Sequence, residues 1–161
     1  MQINIRKGTE ADVPAMFKLV KELALFEKAP EAVVNDEAQM ILDGFGPDPI
    51  YKVFVAEDDN TKEVIGMCLY YMAYSTWKGK LLYLDDLIVT ESYRRSGAGR
   101  LLLNEFIKEA DRLGVKQVRW HVLDWNQPAI DFYTKYGVDF DAEWIKCALT
   151  REEIQALAAK I

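Results

Sequence analysis

The chain has 161 residues, half of them apolar and 29% charged, with a formal net charge of −6. Such a length and composition suit a single globular domain, residues 1–161, with a full hydrophobic core. The acidic balance argues against a nucleic-acid partner, and no apolar run is long enough to span a bilayer.

Ile3 to Arg6 reads as a first strand, and the N-terminus lacks the h-region of a secretory signal. Thr9 can cap a helix that has Asp12 in its first turn and Pro14 soon after. Val13, Met16, Phe17, Val20, Leu23 and Ala24 then recur at helical spacing as a buried stripe. A second helix is expected across Asn35 to Leu42, stopped at Gly44, with loop following to Pro49. Tyr51 to Ala56 and Val64 to Ala73 form a hairpin about the Asp58-Asp59-Asn60 turn. Trp77 to Lys80 turns again into a strand from Leu81 to Val89.

A helix from about Gly97 carries Leu101, Leu102, Phe106, Ala110 and Leu113 inward and stops at Gly114. Lys116 to Leu123 reads as a strand, Pro128 to Tyr136 as a short helix ended by Gly137, and Trp144 to Leu149 as a late strand. Thr150-x-x-Glu153 is a capping box that opens a last helix. Mixed helices and strands make this an α/β or α+β domain. Cys68 and Cys147 fall in predicted strands, far apart and without CxxC spacing, and read as reduced core thiols of a cytoplasmic protein. His121, the only histidine, lies among apolar neighbours and reads as structural; no cluster has metal-ligand spacing.

The segment LLYLDDLIVTESYRRSGAGRLLL, Leu81 to Leu103, runs from an apolar strand through arginines and Gly-x-Gly into a helix. Glycines let a backbone approach phosphate closely, and the helix start adds unpaired N–H groups and the positive end of its dipole. Arg94, Arg95 and Arg100 supply local positive charge in an acidic chain. The P-loop pattern is absent, and GxGxxG fails because Leu102 stands at the third glycine.

Arg-x-x-Gly-x-Gly after this strand, followed by Asn126-x-x-Ala129-x-x-Phe132-Tyr133-x-x-x-Gly137, resembles the GNAT superfamily of acetyl-coenzyme A-dependent N-acetyltransferases. KELALFEKAP, DGFGPDP, YYMAYSTWKGKLLYLDDLIV and DWNQPAIDFYTKYG bring the match closest to its spermidine/spermine branch, which includes diamine and thialysine acetylators. The resemblance implies a mixed, mostly antiparallel central sheet with helices on both faces and a splayed strand pair at the cofactor site. It implies that Leu87, Ile88 and Val89 offer backbone groups to the pantetheine arm, and that Arg94, Arg95, Ser96, Gly97, Ala98, Gly99 and Arg100 hold the pyrophosphate. Asn126, Pro128, Ala129 and Lys135 would contact the cofactor further along, and Tyr133 would protonate departing coenzyme A. A thiol titrates near ~8.5 and a phenol near ~10, so such a donor is weak but available.

An acceptor ammonium titrates near ~10 and has to lose a proton before attack. The resemblance gives that task to Asp85, where the family commonly has glutamate. Strand alternation would send Asp85 and its neighbour Asp86 to opposite faces. Glu27, Trp77, Asp85, Asp86, Glu143 and Trp144 would line a cationic amine, through charge and cation–π contact. Ser75 stands where polyamine acetylators carry an aspartate, which leaves room for a shorter diamine, a thialysine-like amino acid or another small primary amine. Relatives are commonly homodimers. With no cysteine in the motifs, direct transfer in a ternary complex is expected. Two alternatives stand beside it: acetylation of a protein or peptide N-terminus, and a coenzyme A-binding sensor without turnover.

Overall fold

Five strands pair in chain order: β1 (Ile3–Lys7), β2 (Lys52–Asp58), β3 (Val64–Ser75), β4 (Gly79–Val89) and β5 (Gln117–Arg119). The first four are antiparallel neighbours, and β5 lies parallel to β4. The computed structural model describes residues 2–161. It comprises two units, the first running to His121 and the second from Val122 to Ile161.

In the first unit the sheet separates two apolar layers. Helix α1 (Val13–Phe26) and helix α2 (Glu37–Phe45) bring Val13, Met16, Leu19 and Met40 onto Val53, Val55, Met67, Leu69 and Ile88. On the opposite face, Phe106 of α3 (Ala98–Arg112) meets Tyr70 edge-on at 5.5 Å, and Tyr70 stacks on Phe54 at 5.4 Å. Burial of Phe106, Leu102 and Leu103 to zero exposure removes a large apolar area from water, which is the main force holding α3 down.

Several boundaries differ from the sequence reading. Helix α2 starts at Glu37 after an Asp36 cap and runs through Gly44 to Phe45. Gly44 is not a stop: a Cβ there would lie 2.2 Å from the Tyr51 ring, whose hydroxyl donates to the Met40 carbonyl at 2.7 Å. Strand β5 is three residues, not the expected Lys116 to Leu123. Its last rung is Tyr83↔Arg119, and β4 bulges just beyond, where Leu69 pairs with Asp86 and Tyr70 with Leu84. A bulge twists its strand locally, and the parallel ladder ends there while β4 continues to Val89. This is the expected splayed pair.

The second unit holds α4 (Gln127–Thr134) and α5 (Arg151–Ala158). The predicted capping box of α5 is present, with Thr150 accepting from the Glu153 N–H. The predicted strand from Trp144 to Leu149 is not formed. A strand needs a neighbour to pair with, and among the described residues of this unit there is none. Trp144, Ile145 and Leu149 are consequently exposed, and Cys147 is an exposed thiol rather than a core one. Cys68 is buried as expected, and burial pushes its thiol pKa well up. No helix among the described residues is long and apolar enough to cross a membrane.

Candidate active site

Strand β4 runs into a 3₁₀ turn at Glu91–Tyr93 and then into the arginine–glycine loop that opens α3. Arg95 has φ of 64° and Gly97 of 95°, so left-handed residues interrupt the turn twice. The N–H groups of Arg94, Ser96 and Ala98 donate within the loop, to the Glu91 and Tyr93 carbonyls and to Ser96 Oγ, while left-handed residues of this kind are the backbone element from which anion-binding turns are built. The first turn of α3 adds N–H groups without intrahelical acceptors. Glycine meets its left-handed requirement at no steric cost, whereas a left-handed arginine is uncommon and marks a loop held in a demanding shape. Arg94, Arg95 and Arg100 are exposed around it, while Ala98 is buried beneath. The donor set therefore fits a pyrophosphate.

What holds this loop was not foreseen in the sequence. Glu22 on α1 accepts from the Thr90 hydroxyl at 2.8 Å and from the Glu91 N–H at 2.7 Å. Tyr93 donates to Asp58 at 3.2 Å, and the Arg94 guanidinium lies over the Phe26 ring at 5.1 Å. One loop is thus anchored from α1 and from the end of β2. A glutamate on the polar side of a helix carries no sequence signal of such a role.

The bulge overturns the expected alternation at the two aspartates. Tyr83 pairs with Tyr71 and Asp86 with Leu69, two residues apart on one face of β3. Tyr83 and Asp86 therefore share a face although they stand an odd three positions apart, with Asp85 in the inserted stretch. That face is the α1 side, since Leu69 and Ile88 belong to its core. Burial, then the Asp85 charge, then the Glu27 charge raise the Asp86 pKa to about 7. Two carboxylates, Asp85 and Glu27, thus act on Asp86 near the C-terminal end of α1, where Glu27 follows Phe26. Like charges close enough to do this repel, and a cation relieves the repulsion. Leu87, Ile88 and Val89 continue β4 past the last rung to β5.

Beside the acids stands an aromatic group that the sequence reading had treated as structural or had passed over. Tyr71 and Tyr83 stack with centroids 5.2 Å apart, and the Tyr83 hydroxyl is hydrogen-bonded with His121 Nδ1. His121 is exposed rather than enclosed. The pKa of Tyr71 is raised by burial and the Asp85 charge; that of Tyr83 by burial, Tyr71 and both aspartates, against a lowering by Arg119.

At the β3–β4 turn, Trp77 is 86% exposed. Ser75 Oγ accepts from the Trp77 and Lys78 N–H groups at 3.3 and 3.2 Å, so this serine serves the turn.

The second unit carries the remaining residues singled out from sequence. Asn126 caps α4 by accepting from the Ala129 N–H at 3.3 Å, and Pro128 occupies the first turn, where no N–H is needed. Tyr133 is buried on α4, with Phe132 edge-on at 5.2 Å, and Lys135 is the exposed C-cap. Glu143 and Trp144 are exposed in the segment between the helices. Among the described residues no cluster of His, Cys, Asp or Glu side chains could hold a metal ion.

Residues 16–138 match the family model described as Acetyltransferase (GNAT) family. A thialysine N-epsilon-acetyltransferase of Bos taurus is 36% identical, over 98% of both chains. The spermidine/spermine N(1)-acetyltransferase-like protein 1 of Homo sapiens is 32% identical over 96% of this chain and 23% of its own length. In fold, an aminoglycoside acetyltransferase from an uncultured soil metagenomic sample superposes with a TM-score of 0.73 at 20% identity, covering 92% of this chain and 95% of its own.

Proposed function

Since the chain belongs to the GNAT acetyltransferase family and is an acetyltransferase enzyme, we propose that it acetylates a small, doubly cationic primary amine of the lysine-like or short-diamine class. Acetyl-coenzyme A would supply the acyl group as a thioester. The arginine–glycine loop, residues 94–100, would bind its pyrophosphate, and the β4 backbone at Leu87, Ile88 and Val89 would pair with its amide-bearing arm. Asn126, Pro128, Ala129 and Lys135 at the ends of α4 would supply further contacts.

The observation that carries the proposal is the acidic cluster of Glu27, Asp85 and Asp86, in which burial first, and then the charges of Asp85 and Glu27, raise the Asp86 pKa to about 7. A dication offsets that repulsion better than a monocation does, because each added charge is stabilised by carboxylates already in place. Asp85 would accept the proton of the reacting ammonium through water, while Asp86 and Glu27 hold the distal cation. Trp77 and Trp144 would lay aromatic faces along the chain of the amine, and Glu143 would add a negative charge. Tyr133 would give its hydroxyl proton to the departing sulfur, and transfer would occur directly within a ternary complex. The engagement of Ser75 in its own turn, with no carboxylate there, favours a short substrate over a long polyamine. The name of the bovine relative points the same way.

We further propose a homodimer in which the apolar segment Trp144–Leu149, exposed in the single chain, finds its pairing partner in a second copy. Thiol release from acetyl-coenzyme A, measured with thialysine, lysine, putrescine, spermidine, spermine and an N-terminal peptide, tests the function. Release is expected with thialysine or putrescine in excess of spermine. Release with the peptide alone would replace the substrate class, and none with any amine despite cofactor binding would indicate a sensor.

A further inference from the structure

We propose that Tyr83 and His121 form a proton-relay pair at the point where β4 and β5 part, carrying to solvent the proton removed from the acceptor ammonium. The relay rests on the acetyl transfer proposed above. Tyr83 occupies the last rung of the parallel ladder, opposite Arg119. Two residues past Arg119, His121 Nδ1 is hydrogen-bonded with the Tyr83 hydroxyl, with the ring centroids 5.8 Å apart and tilted by 47°; the Nε2–H tautomer of the imidazole makes Nδ1 the acceptor. Tyr71 closes the other side of Tyr83 by stacking at an interplanar angle of 25°. Tyr83 is half-buried and His121 is exposed. The pair therefore leads from the wall of the acidic face into water.

The charged and titratable groups around it come from every neighbouring element. Tyr71 faces it from β3, Asp85 and Asp86 from β4, and Arg119 from β5, while Glu27 at the end of α1 acts through Asp86. A carboxylate that takes the ammonium proton has to release it before the next turnover. A side chain that can exchange protons near neutral pH and stands in solvent is suited to finish that path.

A proton from the carboxylate side, passed through water, bonds to the Tyr83 oxygen as the original Tyr83 O–H bond breaks and its proton bonds to His121 Nδ1. The imidazolium then loses a proton to bulk water, and tautomer exchange through solvent returns Nδ1 to its accepting form. Neither residue is oxidised or reduced, and one proton has left the site. Neither touches the acceptor: His121 acts through Tyr83, and Tyr83 through the acids.

A single histidine makes the test clean, because its ring C–H resonance needs no assignment. NMR titration of His121 is compared in the wild type, in Tyr83→Phe and in the wild type saturated with 1,5-diaminopentane. The midpoint is expected to shift in both latter cases; a midpoint that moves in neither overturns the relay even if no transfer is found. For the active enzyme, kcat/KM for the amine between pH 6 and 8 is compared in the wild type and in His121→Gln, which keeps a hydrogen-bond acceptor but cannot take a proton. The variant is expected to lose about tenfold at pH 7 and to flatten the profile, with KM for acetyl-coenzyme A unchanged. Added imidazole should restore His121→Ala but not Tyr83→Phe. A His121→Gln profile that superposes on the wild type overturns the relay, whereas a wild type that acetylates no amine overturns the proposed function instead.

Discussion

At the residue scale, Asp86 ties stability to function. Its folded pKa, about 7, lies above the ordinary carboxylate value of 3.8, so the folded state holds the proton more tightly than the unfolded state. Ionisation therefore costs stability as pH rises from about 4 to about 7, and the cost is full above that. Asp86→Asn removes the ionisable group, so the Tm advantage of the variant should be larger at pH 8 than at pH 4. An equal difference at the two values would contradict the burial and repulsion assigned to this site. The variant should also bind a diamine more weakly, since destabilising charge is retained in the wild type at the place proposed for the cation. Tyr133 has the opposite signature. Tyr133→Phe should lower kcat by about a hundredfold while leaving the Kd for coenzyme A near that of the wild type, if its hydroxyl donates the proton. Unchanged kcat would remove it from the chemistry.

At the element scale, the loop before α3 is shaped by α1 as much as by its own glycines. Glu22 holds Thr90 and Glu91 with two charge-assisted hydrogen bonds. Glu22→Gln should raise KM for acetyl-coenzyme A about tenfold, equivalent to about 1.4 kcal/mol, with kcat at saturation preserved. A fall in kcat without a change in KM would mean that the clamp serves something other than the cofactor loop. The amphipathic stripes of α1 and α3 were legible in the sequence, because a 3.6-residue period survives any tertiary arrangement. So was the arginine–glycine loop, whose residue types state their backbone needs. The bulge at Asp85 was not legible: alternation assumes a strand of constant phase, and phase is set by the partner strand. The same limit explains Trp144 to Leu149, whose apolar character suits a strand although no strand stands among the described residues of its own unit to pair with it. His121 reads as structural from its apolar sequence neighbours, and what those neighbours could not show is its exposure and its hydrogen bond to a tyrosine 38 positions away.

On the scale of the whole molecule, acid sensitivity should come from a site remote from the chemistry. Arg6 of β1 pairs with Asp12 at 2.7 Å and with Glu57 of β2 at 2.9 Å, and Thr9 adds its N–H and hydroxyl to Asp12. The Arg6 hydrogen bonds are the largest influence in holding the Asp12 pKa at about 2, against burial that would raise it. Since that value lies below the unfolded one, the stabilisation is present above about pH 4 and is lost as pH falls through 2. It amounts to about 2 kcal/mol. Urea midpoints of Asp12→Asn should fall below those of the wild type at pH 7 and converge with them toward pH 2. A constant gap across that range would contradict the ion pair as its source.

The account as a whole depends on the acidic face of β4 recognising a second cationic charge during acetyl transfer. That claim is tested most directly by kcat/KM for 1,5-diaminopentane against pentylamine, two acceptors of equal length and equal reacting group, at saturating acetyl-coenzyme A. A preference of at least about tenfold for the diamine is predicted, as one paired charge contributes about 1.4 kcal/mol or more. Equal values for the two amines would contradict it, because Glu27, Asp85 and Asp86 would then play no part in choosing the acceptor.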